Sequence, residues 1–216
     1  MKKENKRLFY VGIGLILSFV LWTVLVRIVD VQVIGPRESP VGFATLNGYV
    51  HKLIGVNMSL YTITDWLGLV PIGVVFGFAI LGLVQWIKRK KLLKVDYSIL
   101  ILGVFYIVVI IAYVLFEIVV INCRPVLING YLESSYPSST TILVMCVMPT
   151  AVMQLNIRIK AKRIRRFLNI AIYVFIAFMV IGRFISGVHW FTDIVGGALL
   201  STGLVIVYYS ICNQFH

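Results

Sequence analysis

The segment Ser98-Ile-Leu-Ile-Leu-Gly-Val-Phe-Tyr-Ile-Val-Val-Ile-Ile-Ala-Tyr-Val-Leu-Phe116 carries no charged residue and no proline. A helix needs about 20 apolar residues to cross the hydrocarbon core of a bilayer, and in lipid every backbone amide must find its partner within its own segment. This stretch therefore reads as a transmembrane helix over about 97–120. Working outward, comparable windows at about 8–29, 67–87, 140–157, 167–185 and 191–211 bring the number of expected spans to six. No strand-like alternation recurs, which excludes a β-barrel. The expected fold is all-α, a six-helix transmembrane bundle.

Composition agrees. The chain has 216 residues, is 60% apolar and 13% charged, and has a mean hydropathy of +0.98. Ordinary soluble domains are about 45–50% apolar and about a quarter charged, so a soluble enzyme is excluded. The net charge of +12 does not make a nucleic-acid binder, because the basic residues sit in short clusters between apolar segments rather than on one face. The apolar stretch after the basic N-terminus is too long for a signal-peptide core and has no small-residue cleavage site, so an uncleaved anchor is expected. Cys123, Cys146 and Cys212 show no metal or redox spacing and read as structural.

The basic clusters set the expected topology. Lys2, Lys3, Lys6 and Arg7 precede the first span. Lys88, Arg89, Lys90, Lys91 and Lys94 join the second to the third, and Arg158, Lys160, Lys162, Arg163, Arg165 and Arg166 join the fourth to the fifth. These are fifteen of the twenty Lys and Arg. The positive-inside rule makes all three cytoplasmic, with both termini inside. Arg27, Arg37, Lys52, Arg124 and Arg183 are left on the outer side. The chain reads as one domain, 1–216: residues 1–94 hold the first two spans and an outer interfacial loop at 30–66, and residues 95–212 form a functional core of four spans. Within the loop, Val41–Ile54 reads as a partly amphipathic surface segment and His51 as an interfacial polar residue.

Three outward segments hold most of the remaining polarity: Glu117-Ile-Val-Val-Ile-Asn-Cys-Arg124-Pro125, Glu133-Ser-Ser-Tyr136-Pro137-Ser138-Ser139-Thr140-Thr141, and Gly182-Arg183-Phe-Ile-Ser186-Gly187-Val-His189-Trp190-Phe-Thr192-Asp193. Two arginines offer planar donors for a tetrahedral oxyanion. Ser138 and Ser139, opening a helix, offer hydroxyls and backbone N–H groups where the dipole favours negative charge. His189 and Asp193 are four apart, so the carboxylate can fix the imidazole tautomer and leave the other nitrogen free to attack. Glu117 either accepts from an arginine or sits in the interface.

The order Arg-Pro, Pro-Ser, Arg-x5-His-x3-Asp resembles the type 2 phosphatidic acid phosphatase and vanadium haloperoxidase superfamily, whose signature is Lys-x6-Arg-Pro, Pro-Ser-Gly-His and Ser-Arg-x5-His-x3-Asp. The likeness runs from about Glu117 to Asp193, with Gly182 where serine is usual. It implies that His189 attacks phosphorus to form a phosphohistidine, that Asp193 orients it, and that Arg124, Arg183 and Ser138–Ser139 hold the phosphoryl oxygens at the outer interface of a plasma membrane. It implies no metal and no cofactor. The substrates implied are membrane lipid phosphates and diphosphates such as phosphatidic acid, phosphatidylglycerol phosphate and undecaprenyl diphosphate.

Two positions depart from the signature. Glu117 stands where the family has its lysine, and Thr140 where the family has the histidine that protonates the leaving group. General acid catalysis contributes about 10²–10⁴-fold. An alkoxide, with basicity near that of water at a pKa of about 15.7, leaves slowly without it, whereas a phosphate with a second pKa of about 6 needs far less help. The expectation is a lipid phosphatase that prefers a diphosphate, unless Tyr136 or Glu133 supplies the proton. A phosphotransferase on the same scaffold and a non-enzymatic lipid-phosphate-binding or transport protein are the alternatives.

Overall fold

The computed structural model describes residues 3–213; Lys2, one of the expected topological anchors, lies outside the described residues. Six helical spans are long and apolar enough to cross a membrane, among the described residues. They are α1 (Lys3–Ile28), α3–α4 (Met58–Leu67 and Leu69–Arg89), α5 (Tyr97–Ile118), α6 (Ser139–Arg158), α7 (Lys162–Ile185) and α8 (Phe191–Cys212), and between α1 and α3 lies α2 (Ala44–Ile54). The chain is thus a multi-pass α-helical membrane protein.

α6 sits at the centre, touching α4, α5, α7 and α8, while α1 runs along α8. Burial follows this arrangement. Just over half of the most apolar window of α6 is buried, against about a sixth for α1 and α7, whose remaining apolar faces are turned outward as lipid requires. The α1–α8 seam depends on small residues. A Cβ on Gly12 would come within 2.7 Å of Val207 Cγ2, and one on Gly203 within 2.8 Å of Ile16 Cγ1, so the backbones approach as they do in small-residue membrane interfaces.

Alternating spans collect the basic clusters at one end. There Asn5 Nδ2 donates to the Asn213 carbonyl, and Asp96, just before α5, is shared by Arg89 at 2.9 Å and Arg158 at 3.7 Å. The other end gathers the three polar segments and the 30–57 loop.

That loop differs from the sequence expectation. Its first part makes a two-stranded ribbon, β1 (Gln32–Val33) with β2 (Pro40–Val41). α2 is not a segment simply lying on the surface, for its Asn47 is fully buried, donating to Thr192 Oγ1 at 3.0 Å and accepting from Thr192 N at 3.2 Å. His51 is half-buried, with Nε2 3.2 Å from the Gly187 carbonyl and its ring against Trp190. The second span begins near residue 58 rather than 67. Asn57 caps α3 by accepting from Leu60 N, and Gly68 marks the junction with α4. α3 is thereby placed against the end of α7.

Candidate functional site

The three polar segments converge at one end of the bundle. Arg124 is held by a hairpin-like loop between α5 and α6: Arg124 N donates to the Glu133 carbonyl, Ser135 N donates to the Asn122 carbonyl, and Cys123 bridges Ser134. Its guanidinium Nε lies 3.0 Å from Glu133 Oε2, and Nη1 lies 3.3 Å from His189 Nε2.

His189 stands in the short loop between α7 and α8, 4% exposed. Gly187 makes that loop possible. Its φ is +68°, and a Cβ there would meet the Gly55 carbonyl oxygen at 1.9 Å. The imidazole Nδ1 lies 3.1 Å from the Ser135 backbone carbonyl and 3.6 Å from Asp193 Oδ2. A carbonyl only accepts, so Nδ1 carries the proton and Nε2 keeps a lone pair facing Arg124. Burial first, then the positive charges of Arg124 and Arg183, hold His189 well below the ordinary imidazole pKa, so the ring is neutral at physiological pH.

Asp193 is fully buried, and its Oδ2 accepts from Trp190 N at 2.8 Å, so it caps the start of α8 while facing the imidazole. The expected i,i+4 contact between His189 and Asp193 is thus present, with the Ser135 carbonyl nearer to Nδ1. The helix begins at Phe191, after His189, and the direct acceptor for Nδ1 is Ser135, a contact made by backbone that no side-chain motif records.

Arg183, on the last turn of α7, is 1% exposed. Its partners come from α3: Nη1 donates to the Tyr61 carbonyl and Thr64 Oγ1, both at 3.3 Å, and Nη2 donates to Asp65 Oδ1 at 3.0 Å. The Tyr61 ring lies under both arginines, 4.6 Å from Arg183 Cζ and 5.7 Å from Arg124 Cζ. Cation–π attraction to one ring offsets part of the repulsion between two neighbouring guanidinium groups.

The Pro137-Ser138-Ser139 turn is placed as expected at the head of α6, with a different division of labour. Ser138 is the cap: its Oγ accepts from Thr141 N and Thr141 Oγ1, and its own N–H donates to the Asp193 backbone carbonyl. That corrects the expectation that Ser138 offers a free hydroxyl and amide. Ser139 lines the narrow pocket beside His189, and both Ser139 and Thr140 line an adjoining groove that also holds Asp65 and Tyr113. By helix geometry the N–H groups of Ser139 and Thr140 have no carbonyl four residues earlier within α6.

Glu117 and Tyr113 lie one turn apart on α5 and interact with each other at the edge of the His189 pocket. Glu117 is not the arginines' partner; Glu133 and Asp65 take that place. Tyr136, weighed as a proton donor, points away from this role. Its hydroxyl shares a 2.7 Å hydrogen bond with Thr23 Oγ1, and burial pushes its pKa up. Glu133 faces Arg124 instead of standing free. Tyr61, Asp65, Asn122 and Ser135 escaped the sequence reading. An Asn cap at Asn57 and an aspartate inside an apolar run at Asp65 were the signals available for α3.

Fold and site define a helical membrane protein with a buried His–Asp pair and two arginines at one membrane face. The chain belongs to the PAP2 superfamily, whose family model matches residues 99–216, more than half of its length. Its fold is similar to that in the crystal structure of the first transmembrane PAP2 type phosphatidylglycerolphosphate phosphatase from Bacillus subtilis, with a TM-score of 0.54 and 18% identity over 94% of this chain and 96% of that one. No curated protein matches significantly in sequence. Tyr61 and Asp65 lie outside the residues matched by the family model.

Proposed function

We propose that the chain is a lipid phosphatase of the outer membrane face, with both termini cytoplasmic, that works through a phosphohistidine at His189. The observation carrying this reading is the geometry of one ring: neutral His189 is anchored through Nδ1, with its Nε2 lone pair 3.3 Å from Arg124 Nη1, in a pocket that reaches the head of α6. Nε2 attacks phosphorus and the bond to the leaving oxygen breaks. Arg124, Arg183 and the first-turn amides of Ser139 and Thr140 stabilise the phosphoryl oxygens. The Ser135 carbonyl and Asp193 stabilise the positive ring that forms. Water then attacks the phosphohistidine and releases inorganic phosphate. The N-terminal spans of residues 1–94 contribute to this site through α3, so we treat 1–216 as one functional unit rather than a core with an accessory half.

The leaving group decides the substrate. Thr140 offers no proton near pH 7, Tyr136 is committed to Thr23, and Glu133 and Asp65 are paired with arginines. We therefore infer a preference for isoprenoid or other lipid diphosphates, whose leaving phosphate departs as a stable anion, over monoesters whose alkoxide would need an acid. The groove beside Ser139 and Thr140, about 420 Å³, meets a second apolar groove of about 530 Å³ between α4 and α5 at Ile110, a path for lipid tails that stay in the bilayer. The basic clusters at the opposite end support a topology with that end cytoplasmic.

The test is phosphate release by purified protein from undecaprenyl diphosphate, phosphatidylglycerol phosphate and phosphatidic acid, with His189→Ala as the blank. The expected result is His189-dependent release that is fastest from the diphosphate. Binding of these lipids without His189-dependent release would favour a non-enzymatic lipid-phosphate-binding or transport protein, a reading to which the carboxylates already seated on both arginines lend weight. Transfer of the phosphoryl group to another lipid would identify a phosphotransferase.

A further inference from the structure

The guanidinium of Arg183 is divided between two uses. Nη1 is spent on α3, on the Tyr61 carbonyl and Thr64 Oγ1. The remaining edge, Nε with Nη2, is the fork that suits two oxygens of one anion. In this structure Asp65 Oδ1 takes Nη2 alone, and Nε is buried without a hydrogen-bond partner. A buried N–H left unpaired costs free energy that a two-oxygen ligand would recover. The Asp65 side chain is more than half exposed, unlike the arginine it holds, and it lines the same groove as Ser139 and Thr140. Its carboxylate can swing into water, and the buried Arg183 charge it then uncovers is left for an incoming anion to neutralise.

We propose that Asp65 is a built-in competitor for phosphate: it occupies one tine of the Arg183 fork in the free protein and yields it to the incoming phosphoryl group, which then takes both Nη2 and Nε. The inference rests on the reading that this end of the bundle binds phosphate. It makes α3 a specificity element, since an anion must outbid the carboxylate to enter. A dianionic phosphate or a diphosphate does so more readily than a singly charged phosphodiester, because it brings more charge to the same fork. It also gives Asp65 a purpose that a mere support for Arg183 would not need, because the Tyr61 ring and the Thr64 hydroxyl hold the guanidinium from the other side.

The experiment measures binding of inorganic phosphate and of orthovanadate to the purified detergent-solubilised protein, by isothermal calorimetry and by the ligand-dependent rise in unfolding temperature. It compares wild type, Asp65→Asn, Asp65→Glu and Arg183→Ala. The expected result is that Asp65→Asn binds several-fold tighter than wild type, the scale of losing a half-exposed ion-pair partner, that Asp65→Glu stays near wild type because the competing charge remains, and that Arg183→Ala binds weakest. Unchanged or weaker binding in Asp65→Asn would overturn the proposal and leave Asp65 a structural support. If Asp65→Asn does not fold, Asp65→Glu still decides: with its longer carboxylate reaching the fork it must not bind phosphate more weakly than wild type, and a marked loss would again mean support rather than competition. The readout is binding, so absence of lipid turnover would count against the proposed enzyme while leaving this result interpretable. Absence of phosphate binding by every variant would overturn both.

Discussion

Both ends of the bundle are polar and hold arginine and carboxylate side chains, partly exposed at the basic end and mostly buried at the other, and they satisfy them differently. At the basic end Asp96 takes Arg89, Arg158 and the Gln85 amide, its own N–H donates to Gln85 Oε1, and Gln154 donates to the Tyr208 hydroxyl and the Ser98 carbonyl. None of those groups is left buried and unpartnered. At the opposite end Arg183 Nε and, in the 30–57 loop, Ser39 Oγ are buried without a hydrogen-bond partner among the described residues, while the Asp193 carboxylate interacts with the Asn122 and Ser135 side chains although Asn122 Nδ2 and Asp193 Oδ1 make no well-formed hydrogen bond. Arg124 Nε has only its ion pair with Glu133, in poor hydrogen-bond geometry. Folds close such gaps where stability alone is at stake, because an unpaired buried polar atom costs about 1–3 kcal/mol. Two of them, Arg183 Nε and the poorly aligned Arg124 Nε, lie on the arginines beside His189, and under the proposed function these are the donors an incoming phosphoryl group would take up. The one comparable gap toward the basic end, Asn169 Oδ1, stands apart from any such constellation.

The comparison breaks most visibly at His189. His189→Ala should lower phosphate release by roughly 10³-fold or more, to the limit of detection, while the protein still folds and binds phosphate. Release that survives would take the chemistry away from this end. Arg183→Ala should cost about 10²–10³-fold in kcat/KM, the scale of losing a preorganised oxyanion donor. It should also lower the unfolding midpoint, since α3 and α7 are tied through that side chain.

The missing general acid can be restored. Thr140→His places an imidazole where the superfamily has one and should raise monoester turnover by about tenfold or more, with little change for a diphosphate. Equal gains on both substrates would mean that protonation is not what Thr140 withholds.

The pH dependence follows from the same neighbours. Only the neutral ring attacks, and its pKa is held well below the ordinary histidine value, so any fall of kcat/KM through the usual histidine range should follow the substrate phosphate's own second pKa of about 6, and the limb belonging to the ring should come only below it. Arg124→Gln removes one of the charges opposing protonation, so the acid limb of the profile should move up. A limb that stays put would mean that Arg124 does not set the pKa of His189.

The smallest effect is expected at the satisfied end. Gln154→Ala should cost about 0.5–2 kcal/mol of stability, the range of interhelical hydrogen bonds in membranes, and leave turnover within about twofold. A large loss of activity there would erase the distinction between the two ends.

How much of this could be read from the chain follows from what each feature rests on. The six spans were legible because lipid imposes a length and an apolar composition that the sequence carries openly, as in Ser98–Phe116. Arg124, Arg183, His189 and Asp193 were legible because few ionisable residues lie near membrane depth and their spacing is fixed. Ser135 was not, since its contribution is a backbone carbonyl delivered by the Asn122–Ser135 hairpin. α3 was not either: its polar Thr64 and Asp65 break the apolar pattern because they face Arg183, and that reason exists only once α7 is alongside. Ser138 looked like a phosphate ligand because a cap and an anion site use the same residue types.

Phosphoryl transfer through His189 at the incompletely satisfied end is what the proposed function requires. It is tested most directly by rapid acid-free quench of the protein with a lipid diphosphate labelled at the terminal phosphorus, followed by assay for a protein-bound phosphoryl group that survives alkali and is lost in acid. Such a label is expected in the wild-type protein and none in His189→Ala. Turnover with no label on His189, or a label that persists in His189→Ala, would contradict it.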